Sequence, residues 1–142
     1  MADELYNAAI VAEAKARTGA GRLAAPEVTV DIDNPLCGDR VTLDVSGDGG
    51  RITALAHKTR GCLLTQAAAS VVARRAPGAD AASLRALHAQ VEALLRGAPV
   101  PEAPPEVAMF RPVQAVKSRH DCVLLPFRAL EEALVKLDAK DR

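Results

Sequence analysis

Alternating apolar and polar positions in the first half of the chain predict a small antiparallel sheet. Residues 28–32 and residues 41–45 alternate in this way, and Ile52 and Leu55 mark a third short stretch after them. The segment "DNPLCGD" joins the first two stretches, and "GDGG" joins the second and the third. Both joining segments contain the glycine, aspartate and proline typical of tight turns. The pattern therefore predicts a three-stranded antiparallel meander.

Helical spacing surrounds this predicted sheet. Residues 3–17 have a loose helical pattern that ends at the glycines that follow. From Cys62 onward the stretch "CLLTQAAASVVARRA" has almost no polar face, which predicts a largely buried helix ending before Pro77. Residues 81–96 have clear amphipathic spacing, with Ser83 as the expected N-cap.

The last third of the chain combines a proline-rich stretch with a final helix. Residues 97–112 contain so many prolines that we expect an extended connector there. A helical pattern follows from Arg119, and we expect Pro126 either to start this helix or to kink its first turns. The expected fold class is α+β, a three-stranded meander packed against about four to five helices.

Composition and charge limit the choice of function. The 142 residues suit one domain spanning 1–142, with a core of Ala, Val and Leu because aromatic residues are scarce. The 18 basic and 18 acidic residues cancel, so we expect no binding of nucleic acid or of an anionic membrane surface. The chain lacks a signal-peptide pattern and a long apolar run, which predicts a cytoplasmic protein.

Three cysteines are the strongest chemical signal in the sequence. They stand at Cys37, Cys62 and Cys122, without a close C-x-x-C pair, and an odd number argues against a disulfide framework. Each stands where one predicted element gives way to another. Cys62 and Cys122 lie near helix N-termini, where the helix dipole favours the thiolate. Taken singly, each cysteine also fits a plain structural role, as a small turn residue or a buried helix residue.

An aspartate close to the first cysteine completes a set of metal ligands. Asp39 stands two positions after Cys37, with Gly38 between them to let the backbone bend around an ion. Three thiolates and one carboxylate give the four ligands of a tetrahedral zinc ion. We expect Arg119, Lys117 or Arg40 to offset the negative charge of such a site, and His120 is the one histidine that we keep as an alternative ligand or proton carrier.

The other two histidines, His57 and His88, are expected at the surface or its boundary. Glu131 and Glu132 are expected on a solvated helix face.

The three cysteine motifs resemble those of a known family. "NPLCGD", "RGCLLTQAAAS" and "RHDCVLLPFRAL" are similar to the motifs of the U-type iron-sulfur cluster assembly proteins, which include SufU, IscU and the N-terminal domain of NifU. The resemblance covers nearly the whole chain and implies the U-type scaffold fold. Sixty positions separate Cys62 from Cys122, Asp121 precedes Cys122, and Arg119 forms an R-x-x-C motif, features that resemble SufU rather than IscU.

The resemblance to SufU implies a function. It implies that Cys37, Asp39, Cys62 and Cys122 hold Zn²⁺, and that the protein acts as a sulfurtransferase-like acceptor of persulfide sulfur from a SufS-type cysteine desulfurase, a pyridoxal phosphate enzyme. The sulfur would pass to a downstream Suf scaffold or to apo iron-sulfur proteins. Cys37 is our predicted acceptor, because a hairpin loop lets it leave the metal most easily.

Two other functions fit the same residues. One is a scaffold on which a [2Fe-2S] cluster is built by the same four ligands. The other is a structural zinc-binding domain used only for interaction with a partner.

Overall fold

The structure, a computed structural model, describes residues 6–36 and 38–140. Its helices and strands are, in chain order, α1 (Ala8–Ala16), β1 (Val28–Asn34), β2 (Asp39–Asp48), β3 (Arg51–Arg60), α2 (Leu63–Arg75), α3 (Ala81–Leu95), α4 (Pro105–Ala108) and α5 (His120–Lys140). Two 3-10 helices, Arg111–Ala115 and Lys117–Arg119, lie between α4 and α5. The predicted α+β class, a three-stranded meander packed against about four to five helices, is confirmed, and the described residues form five α-helices. Within the described residues, no helix combines the length and the apolar character that a membrane span requires.

The sheet has the strand order β1-β2-β3, and both strand pairs are antiparallel. Val30, Leu43 and His57 are register partners across the three strands, and they share the face that packs against α2 and α5. Gly49 and Gly50 make a two-residue turn between β2 and β3, both with positive φ. A turn of this kind matches the twist of the strands and requires glycine-like backbones.

The core is built mainly from small aliphatic side chains, as the composition predicts. Helix α2 buries most of its length, and α5 lies across β1 and β2. Phe110 and Phe127 are the only two phenylalanines in the sequence, and both are completely buried. Because most core residues are Ala, Val and Leu, the interior gains its stability from many modest buried areas rather than from a few large rings.

Two helix beginnings differ from the sequence prediction. Helix α1 begins at Ala8, because the side chain of Asn7 accepts a hydrogen bond of 3.0 Å from the backbone N–H of Ile10. Residues 3–5 of the predicted helix lie outside the described residues. Helix α3 is capped by Asp80 and not by Ser83, whose own N–H donates to the Asp80 carboxylate at 2.8 Å. The cap prediction was wrong by three positions.

The structure agrees only in part with the predictions for the proline-rich connector and for Pro126. The connector at 97–112 is irregular to residue 104 and then forms α4, which has Pro105 at its first position. Proline suits that position because its missing N–H would have no partner there. Pro126 lies inside α5 and does not start it. It leaves the backbone carbonyl of Cys122, four residues earlier, without the usual helical donor.

The prediction that His57 and His88 lie near the surface is wrong. His57 is buried, because its strand position faces the core, and its Nε2 donates to the Thr18 carbonyl at 2.9 Å. His88 is also buried and stacks on Phe127, with ring centroids 5.6 Å apart. Its Nδ1 lies 2.9 Å from Oε1 of Glu131. The Glu131 carboxylate therefore contacts α3 as well as solvent.

Candidate metal centre

Three of the four predicted ligands meet at one end of the sheet. Asp39 is the first residue of β2, Cys62 immediately precedes α2, and Cys122 is the third residue of α5. Each residue offers one ligand atom, and these atoms all lie within 4.8 Å of one another. Asp39 and Cys122 are buried, and Cys62 is half-buried. The predicted fourth ligand, Cys37, lies outside the described residues.

The fold explains why these residues come together. The start of β2 pairs with the end of β3, where Arg40 is the register partner of Arg60. Two residues later the chain reaches Cys62, whose extended backbone is the N-cap of α2. The thiol makes no hydrogen bond to the helix backbone and lies 3.6 Å from Oγ1 of Thr65. The cap position therefore leaves the sulfur free to point into the cluster.

The described residues on both sides of position 37 are held by hydrogen bonds to Asn34. The backbone carbonyl of Asn34 accepts a hydrogen bond of 2.8 Å from Gly38, and its side chain accepts one of 3.1 Å from the N–H of Leu36. Gly38 has a φ of 76°, a conformation that favours glycine. Leu36 is 92% exposed. The two residues flanking position 37 thus belong to a short, hydrogen-bonded turn at the surface.

Thr65 is a site residue that the sequence prediction missed. Its hydroxyl donates a hydrogen bond of 2.8 Å to Oδ2 of Asp39, and its side chain is fully buried. A hydroxyl has one proton, so its contact with Cys62 uses the oxygen as the acceptor. The signal in the sequence was a polar residue inside a stretch predicted to have almost no polar face.

Gly61 leaves the space that this arrangement needs. A Cβ atom at Gly61 would lie 3.0 Å from Oδ1 of Asp39 and 2.9 Å from Cβ of Thr65. Both distances are shorter than ordinary contacts between heavy atoms. The glycine is required here by close packing against the carboxylate, and no positive φ is involved.

The electrostatics of the cluster are unfavourable without a cation. Burial, the neighbouring Cys62 thiol and the Asp39 carboxylate raise the pKa of the Cys122 thiol to about 12. A buried anion that faces further acidic groups needs a compensating positive charge. The donor set of two sulfurs and a carboxylate oxygen therefore fits a bound metal ion, and zinc takes such ligands.

The two residues expected around the ligands behave differently. Tyr6 and the thiols of Cys122 and Cys62 raise the pKa of the Arg119 guanidinium, which lies beside the cluster. His120 is turned away from the thiols, because its Nε2 donates to the backbone carbonyls of Val113 and Gln114 at 3.0 and 3.1 Å. Arg119 is thus close to the thiols, whereas His120 is hydrogen-bonded to the 3-10 helix Arg111–Ala115.

A meander with a thiol and carboxylate cluster at its end is what the resemblance to the U-type scaffolds leads us to expect, and comparison with known proteins agrees. The chain belongs to the family described as "NifU-like N terminal domain", whose model matches residues 5–141. The resemblance drawn from the cysteine motifs is confirmed.

Two curated relatives carry different functional names. The chain is 27% identical over 134 residues to "Iron-sulfur cluster assembly scaffold protein IscU" of Thermotoga maritima, covering 94% of each chain. It is 25% identical over 136 residues to "Zinc-dependent sulfurtransferase SufU" of Bacillus subtilis, covering 94% of this chain and 92% of the relative. Both relatives are matched over nearly their full length, so sequence identity does not separate the two names.

Solved structures show the same fold. The N-terminal NifU-like protein from Brucella abortus superimposes with a TM-score of 0.90 and 34% identity, over 98% of both chains. A putative iron-sulfur cluster assembly scaffold protein for the SUF system, from Fervidobacterium islandicum, gives a TM-score of 0.84 and 26% identity, over 92% of this chain and 96% of that one.

Proposed function

We propose that this protein is a zinc-dependent sulfur acceptor that takes persulfide sulfur from a SufS-type cysteine desulfurase during iron-sulfur cluster assembly. The observation that carries the proposal is the convergence of Asp39, Cys62 and Cys122 within 4.8 Å. The similarity to the Bacillus subtilis protein named a zinc-dependent sulfurtransferase supports it. We also propose a cytoplasmic location and the transfer of the sulfur to a downstream Suf scaffold or apo iron-sulfur protein.

Zinc would be held by the three clustered residues together with Cys37. The ligand atoms of the three clustered residues lie within 4.8 Å of one another, close enough for all three to hold one ion. When bound, zinc keeps the thiols ionised and ordered, and it has no redox chemistry that would consume the sulfur. Thr65 donates a hydrogen bond to Oδ2 of Asp39, which fixes the position of the carboxylate beside the two thiols.

Cys37 is the proposed acceptor. Its thiolate attacks the terminal sulfur of the donor's persulfide, a Cys37–S–SH group forms, and the donor cysteine leaves as a thiolate. Asp39 supports this step as a hard ligand that exchanges more readily than a thiolate. Arg119, beside Cys62 and Cys122, balances the negative charge that the donor's persulfide brings to the site.

Experiments distinguish two other candidate functions from the proposed sulfur acceptor. The scaffold function is favoured by the similarity to the Thermotoga maritima protein named an IscU scaffold, and the same residues would then hold a [2Fe-2S] cluster. If the protein is only a structural zinc-binding domain, Asp39→Ala should damage folding as much as the loss of a cysteine does. If Asp39→Ala folds and keeps its metal but accepts no sulfur, that function is excluded.

The decisive experiment combines metal analysis with sulfur transfer. The protein is purified without oxygen, and its zinc, iron and visible spectrum are measured before it is incubated with a SufS-type desulfurase and labelled cysteine. We expect stoichiometric zinc, no charge-transfer bands and label on Cys37. Cys37→Ser should lose both the label and the stimulation of desulfurase turnover. Visible bands that pass to an apo-acceptor would instead support the scaffold function.

A further inference from the structure

Two adjoining cavities beside β3 are lined by exposed cations. The larger, about 650 Å³, lies between the end of α1, β3 and the start of α2, and its cations are Lys15, Arg17 and Lys58. The smaller, about 370 Å³, lies over the outer face of the sheet and includes Arg60. Both are lined by Lys58 and Thr59, so they adjoin along β3, and we call the two cavities together the groove. We call Lys15, Arg17, Lys58 and Arg60 the basic strip.

The four cations of the basic strip have no partners of their own among the described residues. None of their side chains forms an ion pair or a hydrogen bond there, whereas Arg22, Arg40 and Arg74 all pair with carboxylates. Neither cavity is lined by a described Asp or Glu residue. Because acidic and basic residues are equal in number over the whole chain, the strip is a local excess of positive charge.

Arg17 occupies an unfavourable backbone position. It ends α1 in the left-handed conformation, with a φ of 48°, and it is the only described non-glycine residue with a positive φ. Glycine is the usual residue at such a helix end because it avoids the steric cost. An arginine in this position, with its charge in the larger cavity, indicates that the side chain has a use beyond the fold.

The basic strip ends at the thiol cluster. Arg60 is followed by Gly61 and Cys62, and Leu63, which lines the larger cavity, comes next in the chain. A partner that lies along the groove is therefore brought next to Cys62. The groove extends over two cavities, which suits an extended chain segment better than a compact small anion.

We propose that the basic strip docks an acidic, Asp- and Glu-rich segment of the protein that donates sulfur. Opposite charges raise the rate of encounter and fix the orientation of two proteins, and the four cations without partners are free to provide them. The identity of the donor rests on the proposed function. The docking surface itself rests on the groove and its charge.

The test measures the affinity of a SufS-type desulfurase for the zinc-loaded protein by calorimetry at low and high salt. Lys58→Glu should weaken binding by about tenfold at low salt, and the difference should shrink at high salt because screening removes it. Arg17→Gly should also weaken binding while leaving the thermal midpoint unchanged or higher. Lys136→Glu is the matched control, because Lys136 lies on α5, pairs with Glu132 and lines neither cavity.

The experiment distinguishes a failure of the docking proposal from a failure of the proposed function. Equal affinity for wild type and Lys58→Glu, or no binding of the desulfurase by wild type, would overturn the docking proposal. Lys58-dependent binding without any label on Cys37 would support docking and refute the proposed function. Displacement of the desulfurase by a DNA duplex or by inorganic phosphate, with Lys58-dependent affinity for either, would overturn the acidic protein segment as the occupant.

Discussion

The hydroxyl of Thr65 donates a hydrogen bond of 2.8 Å to Oδ2 of Asp39, and both side chains are buried. The residues are 26 positions apart in the chain, one in a helix and one in a strand. The same hydroxyl lies 3.6 Å from the sulfur of Cys62. One side chain therefore orients a carboxylate and contacts a thiol of the proposed zinc site.

Replacing Thr65 by valine should weaken zinc binding. Valine keeps the shape of threonine but cannot donate to Asp39, which leaves a buried carboxylate oxygen without its partner. Loss of such an orienting hydrogen bond typically lowers metal affinity by about 10–100-fold. Competition with a chromophoric chelator measures the affinity. Thr65→Ser keeps the hydroxyl and should stay close to wild type, and equal affinities for all three proteins would refute the role.

Adding a methyl group at Gly61 should damage the same site by a different route. The new Cβ would lie 3.0 Å from Oδ1 of Asp39, so the carboxylate or the strand must move. Overpacking of this kind costs about 1–3 kcal/mol of unfolding free energy, and here it should also weaken zinc binding.

Gly78→Ala provides the comparison for Gly61→Ala. Gly78 has a φ of 84° and open space around it, so alanine there strains the backbone without touching the site. We expect both variants to lose stability in urea unfolding, but only Gly61→Ala to lose zinc affinity. If Gly78→Ala loses as much zinc affinity, the effect of Gly61→Ala comes from stability alone.

Much of the fold follows from local patterns in the sequence. Alternation at residues 28–32 and 41–45 predicts strands because one face of the sheet packs on helices and the other meets solvent. Cys62 and Cys122 were predicted at the starts of helices, and both are found there. These features depend on neighbours in the chain, so the chain itself reveals them.

Features that depend on distant residues were missed. The burial of His57 follows from the pairing of β3 with β2 and from a carbonyl supplied by Thr18, 39 positions away. The Thr65 contact with Asp39 depends on the same kind of long-range packing. No local pattern encodes which loop covers a strand or which helix residue meets a carboxylate, so these contacts require the three-dimensional structure.

The carboxylate of Asp44 should account for part of the acid sensitivity of the fold. It accepts hydrogen bonds from Nε of Arg22 at 2.6 Å and from the hydroxyl of Thr29 at 2.7 Å. Its contact with Arg22, followed by that with Thr29, lowers the pKa of the Asp44 carboxyl below 3.8. The stabilisation is therefore present above the unfolded pKa and is lost as the pH falls through the folded pKa.

Asp44→Asn tests this contribution. We expect it to cost about 1–3 kcal/mol at neutral pH and to flatten the decline in stability at acid pH, as measured by urea unfolding over a pH series. Asp31→Asn is the control, because the Asp31 carboxylate also pairs with an arginine, Arg40, but is exposed. A steeper acid decline in Asp44→Asn than in wild type would contradict the assignment.

His57 should make the protein less stable as the pH falls below neutral. Burial lowers the pKa of the His57 imidazole below 6.5, and Arg17 adds to the shift. The unfolded chain then binds a proton at a higher pH than the folded protein, so stability falls from the unfolded pKa toward the folded one. His57→Gln should remove this slope between about pH 5 and 7, whereas His120→Gln should keep it. A slope that survives in His57→Gln would assign it to another group.

The two clustered thiols should differ in reactivity when zinc is removed. Cys122 is only 3% exposed, and burial, followed by its acidic neighbours, raises the pKa of its thiol to about 12. Alkylation requires an accessible thiolate, so Cys122 should react at least about tenfold more slowly than the half-buried Cys62 at neutral pH. Peptide mapping by mass spectrometry follows each site separately. In urea the two rates should become similar, and equal rates in the folded, zinc-free protein would show that Cys122 is neither buried nor protonated as described.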